Sequence, residues 1–173
     1  RPVSGIMVYA KNPKAAASLS TSLQQGKIEK WYQAVICGKP VDNNGTYVDY
    51  LKQDKKNNCS RIVDKSDPES KRAELEYKVL DCMQTEEKDP QYLSLVEIKL
   101  LTGRHHQIRV QFSGHGTPLY GDGKYGNNEK AVRKSLALCA CHLKFKHPAT
   151  GKIMDFQIKP DTGAFKLFSK NIS

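Results

Sequence analysis

Ala73, Leu75, Tyr77 and Val79 alternate with Glu74, Glu76, Lys78 and Leu80, a period of two that predicts a strand with one face in water for most of its length. Near the start of the chain Ile6, Val8 and Ala10 alternate with Met7, Tyr9 and Lys11. Both sets are largely apolar, which predicts a short strand covered on both faces and puts the first residues inside a core. Asn12 before Pro13 is a helix-start signal, and Ala15, Leu19 and Leu23 share one face of that helix until Gly26 ends it. A strand is predicted over residues 30–37. Asp42-Asn43-Asn44-Gly45 signals a turn, and short strands follow at 47–51 and 61–63, separated by a polar loop rich in Lys, Asn and Ser.

Beyond an acidic loop near Glu86 and Glu87, residues 92–101 form a further strand that stops at Thr102-Gly103. Gln107, Ile108, Gln111 and Phe112 then mark one short helix ended by Gly114, so a strand switches to a helix at this point. Residues 116–126 hold four glycines and a proline, too many for either regular state, and predict a shaped loop. Residues 136–145 and 152–158 read as two strands joined by a turn at His147-Pro148-Ala149-Thr150-Gly151, with a short helix after them. No internal repeat, low-complexity tract or linker divides the chain, and its 173 residues suffice for one domain with a substantial core.

Charge changes this picture more than composition does. Lys and Arg number 28 against 18 Asp and Glu, a net charge of +10, and the excess is uneven: +5 over residues 1–60, −3 over 61–100 and +8 over 101–173. Two basic ends fit a phosphate-binding face assembled from both, or equally a solvated lysine-rich surface. No apolar run approaches the roughly 18 residues a membrane span needs. Five cysteines leave one unpaired and no signal peptide opens the chain, so a reducing compartment, the cytoplasm, is expected.

The densest polar cluster is Thr102-Gly103-Arg104-His105-His106-Gln107-Ile108-Arg109, at the strand-to-helix switch. Amides at a helix start favour anions, and the Arg104 fork can pair bidentately with a carboxylate or a phosphate; Arg104 and Arg109 as plain surface residues are the bland alternative. Tyr32 falls on the face shared by Ala34 and Ile36. It reads either as a core tyrosine or as a ring for stacking on a base with a hydroxyl that moves a proton. Cys139, Cys141, His142 and His147 invite a metal reading, but a Cys-x-Cys pair on a strand points to one face and His142 to the other, and no second ligand pair completes the set. No phosphate loop or dinucleotide fingerprint is present, so no cofactor is implied.

Taken together, these segments resemble the RluA-type RNA pseudouridine synthases, enzymes that isomerise uridine in ribosomal or transfer RNA without a cofactor. Arg1-Pro2-Val3-Ser4-Gly5 resembles the end of the family's His-Arg-Leu-Asp-Arg-x-x-Ser-Gly motif, and Lys30-Trp31-Tyr32-Gln33-Ala34 followed by Gly38 its Lys-x-Tyr-x-Ala segment. Thr102 to Arg109 resembles Thr-Gly-Arg-x-His-Gln-Ile-Arg, the most specific of the matches. Pro118-Leu119-Tyr120-Gly121-Asp122 with Tyr125-Gly126 resembles the Gly-Asp loop, and Leu138-Cys139-Ala140 through Leu143, Phe145 and His147-Pro148 resembles the Leu-His-Ala...Leu-x-Phe-x-His-Pro strand.

The resemblance implies an α+β fold, a mixed and mainly antiparallel β-sheet with flanking helices, with residues 1–173 forming the catalytic domain short of its N-terminal part. It gives Tyr32 and Arg104 catalytic roles: Tyr32 against the flipped uracil and in proton transfer, Arg104 holding a nucleophilic aspartate ionised and aimed. Arg1, His106, Arg109 and Leu138 are then expected to bind substrate. That aspartate would sit immediately before Arg1, so the chain as given is expected to be inactive alone. Cys139 stands where the family usually has His. RNA is the implied partner, with no membrane, no metal and a monomeric state; an RNA-binding module without catalysis is the competing expectation.

Overall fold

The computed structural model describes residues 3–86, 90–126 and 134–168. Its centre is one mixed, mostly antiparallel sheet. In chain order the elements are β1 (Ser4–Gly5), α1 (Pro13–Gln24), β2 (Glu29–Cys37), β3 (Asn44–Asp54), β4 (Cys59–Val63), β5 (Lys71–Gln84), β6 (Tyr92–Leu100), α2 (Gln107–Gly114), β7 (Leu138–Lys146) and β8 (Ile153–Gln157), with a 3-10 helix at Gly163–Phe168. Their order across the sheet is β1-β7-β2-β6-β5-β3-β4, and β8 also pairs with β7. Only the β1–β7 pairing is parallel among these ladders. Among the described residues no helix is long and apolar enough to cross a membrane.

Side-chain alternation on the central strands builds a core on each face. Ala34, Ile36, Val96, Ile98 and Leu138 meet Ile108 and Phe112 of α2 on one side. Val35, Leu93, Leu95 and Cys139 meet Phe165 and Phe168 of the 3-10 helix on the other. Asn12 caps α1, accepting a hydrogen bond from the Ala15 amide at 2.8 Å, and Pro13 opens the helix. That helix lies on the surface with no buried residue; Leu19 packs against the small Ile28, Leu143 and Phe145 cluster while Leu23 is exposed.

Two sequence expectations are corrected here. Residues 6–10 form no strand and are not core: Met7 and Tyr9 are 63% and 74% exposed. Pairing along the outer edge of β7 stops early, with Ser4 and Gly5 opposite Cys139 and Ala140 and the Ile6 amide donating to the Ala140 carbonyl at 2.9 Å. From His142 onward that edge belongs to β8, so residues 6–10 have nothing to pair with. The second correction is length: the expected strands at 47–51 and 61–63 are parts of β3 and β4, which make one long hairpin packed against a 14-residue β5.

Candidate active site

A cleft of about 650 Å³ opens on the α2 side of the sheet. Tyr32 of β2 with Leu138 and Ala140 of β7 form its floor, residues 3–7 one wall, and the run from Arg104 to Arg109 the other. The fold therefore brings Tyr32, Arg104, His106, Arg109 and Leu138 to one place from three distant parts of the sequence. Arg1 lies outside the described residues. No aspartate or glutamate is found among the described residues that line the cleft.

Arg104 is fixed through its neighbours. Gln107, buried at the first turn of α2, accepts hydrogen bonds from the Arg104 amide at 2.9 Å and the Thr102 hydroxyl at 2.8 Å, and donates to the Glu74 carbonyl at 3.0 Å. The Arg104 Nε donates to the Arg72 carbonyl at 2.8 Å. This holds one edge of the guanidinium and leaves its terminal nitrogens with no partner among the described residues. A planar cation held by one edge, with its other edge free, is set up for an incoming anion.

His106 adopts a left-handed backbone, φ 53°, rare for a residue with a side chain, and caps α2. Its Nδ1 lies 2.8 Å from the Tyr125 hydroxyl, which also accepts from the Ser60 amide at 2.9 Å. Burial, then the positive charge of Arg109 and the neighbouring His105 and Lys124, push the His106 pKa down to about 4. His105 stacks on His106 at 3.8 Å and is also shifted down, by burial and then by Lys124 and Arg109. Both rings are thus neutral at pH 7. Burial, with Cys141 adding to it, raises the Tyr32 pKa, so this phenol too stays protonated.

Arg109, expected to contact substrate, borders the cleft but gives its guanidinium to Asp122. Its Nε and Nη2 each donate to one Asp122 oxygen at 2.7 Å, with Asp122 fully buried. Burial opposes the charge on Asp122, but Arg109 and the Tyr125 and Lys124 amides outweigh it and hold the carboxyl below its ordinary range. Those two amides donate to Asp122 Oδ1 at 3.0 Å each, so the pair ties the glycine-rich loop to α2. Spacing alone does not reveal this partnership.

Asn58 is a further cleft residue that sequence reasoning missed. It sits in the β3–β4 turn with φ 49°, and its carboxamide oxygen lies 3.1 Å from His105 Nε2. The only local hint is the polar turn signal of Asn57-Asn58; its reach into the cleft is a property of the hairpin's placement. The Cys139/Cys141 region holds no metal cluster, since no group of three His, Cys, Asp or Glu among the described residues could hold an ion. A register shift between Trp31 and Tyr32 instead puts His142 opposite Trp31, where the rings stack at 4.1 Å.

A family model described as RNA pseudouridylate synthase matches residues 1–114. An uncharacterized RNA pseudouridine synthase of Bacillus subtilis, YlyB, is 35% identical over 157 residues, covering 91% of this chain and 48% of its own. Ribosomal large subunit pseudouridine synthase D of Zymomonas mobilis is 34% identical over 164 residues, covering 90% and 49%. The chain thus spans about half the length of the curated relatives it matches. The solved structure of human RNA pseudouridylate synthase domain containing 4 superposes with a TM-score of 0.76 at 22% identity, covering 96% of this chain and 71% of that one, a likeness of fold.

Proposed function

Since this chain belongs to the RNA pseudouridylate synthase family, we propose that the protein it represents isomerises specific uridines of ribosomal or transfer RNA to pseudouridine, without a cofactor, in the cleft floored by Tyr32 and Leu138. One observation carries this reading: Arg104 offers a fixed, unopposed guanidinium beside a neutral aromatic floor, in a cleft whose described lining has no carboxylate. The complementary group in this reading is the nucleophilic aspartate of the family motif that Arg1-Pro2-Val3-Ser4-Gly5 resembles.

In the reaction the aspartate, kept ionised and aimed by Arg104, acts on the ribose or the base of a uridine flipped out of its stack. The N1–C1′ bond breaks, the uracil turns, and a C5–C1′ bond forms; C5 loses a proton and N1 gains one, so the composition of the RNA is unchanged. Tyr32 lies against the uracil. Its phenol, neutral at working pH, enters as a protonated group that relays a proton rather than as a standing base. Leu138 backs the ring, and the neutral His106 imidazole lines the cleft beside it. The protein acts as a monomer.

The test is to incubate full-length protein with pooled ribosomal and transfer RNA from cells lacking it, and to map new pseudouridines by carbodiimide-adduct stops in primer extension. A new stop at a defined uridine is expected. Absence of any new stop, with salt-sensitive RNA binding intact, would replace the enzyme by a non-catalytic RNA-binding module.

A further inference from the structure

On the far side of Arg104 lies a second cleft of about 450 Å³, bounded by the β3–β4 hairpin and the start of β5. Arg104 and His105 line both clefts, so the two meet along these residues. The second is polar and cationic: Lys55 from the hairpin, Lys71 from β5 and Arg104 all border it. Its one carboxylate, Glu69, is bound by Lys52 at 2.6 Å, a lysine it shares with Asp67 at 3.3 Å. Lys55 and Lys71 have no anionic partner among the described residues.

The cleft is also held in shape. The Ser60 hydroxyl lies 2.9 Å from His105 Nδ1, and with Asn58 on Nε2 the hydroxyl is the donor. The Ser60 amide donates to Tyr125, and Lys124 Nζ donates to the carbonyls of Asn57 at 3.1 Å and Asn58 at 2.9 Å. The hairpin turn is therefore latched both to α2 and to the glycine-rich loop. Two lysines with no anionic partner on a pre-shaped polar surface, continuous with a site for one flipped nucleotide, match a phosphodiester chain leading away from that nucleotide.

We propose that this second cleft is a phosphate subsite of the RNA path, in which Lys55 and Lys71 grip phosphodiesters flanking the target uridine and Arg104 marks the boundary between backbone and base. This rests on the reading of the first cleft as a uridine site. It makes the β3–β4 hairpin a determinant of which RNA is taken, since a strand must cross the latched turn to enter.

The experiment measures RNA affinity of the full-length protein against salt, and turnover in parallel, for wild type, for Lys55→Ala with Lys71→Ala, and for a charge-matched control, Lys146→Ala with Lys152→Ala, on the β7–β8 hairpin. Loss of two single-strand phosphate contacts should lower the slope of log affinity on log salt by about 1.4, and KM for RNA should rise severalfold. An unchanged slope in the first pair, or an equal fall in the control, overturns the subsite while an active wild type leaves the uridine site standing. Conversely, a wild type that never turns over while the first pair alone still flattens the slope keeps the subsite as an RNA contact and removes the enzyme reading.

Discussion

Tyr32 illustrates how position changes the meaning of a residue. From the sequence alone an inward tyrosine is most simply a core residue, and half of that expectation holds, since the ring packs against the Ala34, Ile98 and Leu138 cluster. Its hydroxyl, however, has no partner among the described residues and borders the cleft. Tyr32→Phe should therefore leave stability within about 1 kcal/mol of wild type, because no protein hydrogen bond is lost. If the phenol relays a proton, turnover should fall roughly 10²–10⁴-fold; denaturant melts and single-turnover assays on the same preparation check both. His106 gives a second prediction. Its folded pKa of about 4 lies below its ordinary 6.5, so between those values the unfolded chain binds a proton that the native state refuses. Stability should be fully present above pH 6.5 and fall as the pH drops towards 4. His106→Gln should flatten that part of the stability–pH profile.

At the scale of elements, the strand-to-helix switch and α1 are legible in the sequence because their signals are local. Asn12 and Pro13 start α1 as expected, and Thr102 to Gly114 form a turn and a helix as the glycines and the apolar spacing imply. Residues 6–10 depart from their expected strand because alternation says that a segment suits a strand but not whether an edge is free, and β8 occupies that edge. Long-range partners were hidden for the same reason: Arg109 with Asp122, and Asn58 with His105, join segments that no local pattern relates. The loop–helix tie makes its own prediction. Arg109→Ala would leave Asp122 buried without its counter-charge, and destabilisation of about 3–5 kcal/mol is expected in denaturant melts. Restoring most of that loss with Asp122→Asn in the same chain would confirm that the buried charge, rather than the missing arginine stem, is the cause.

Across the whole molecule, the sheet order explains why the two basic ends of the chain matter together. β7, from the last third of the sequence, lies between β1 and β2, from the first. The cleft is thus closed by residues 3–7, Tyr32, Leu138 and the arginine-bearing turn, none of which makes a site alone. The motifs at residues 1–5, 30–38, 102–109 and 138–148 fall on the segments that meet there, whereas the family match, over residues 1–114, ends before β7. What the motifs could not convey is the second, lysine-lined cleft, because Lys55 and Lys71 belong to no motif and border one cleft only in the folded hairpin.

The central claim, that Arg104 directs an aspartate which moves the glycosidic bond from N1 to C5, is tested most directly by tritium release from RNA labelled at uridine C5. C5 must lose its hydrogen when it bonds to the ribose. Full-length protein should release tritium in step with uridine converted, and Arg104→Ala should release it at least roughly 100-fold more slowly while binding RNA nearly as well. Near-wild-type release by Arg104→Ala, or none by wild-type protein on an RNA that it binds, would contradict the account.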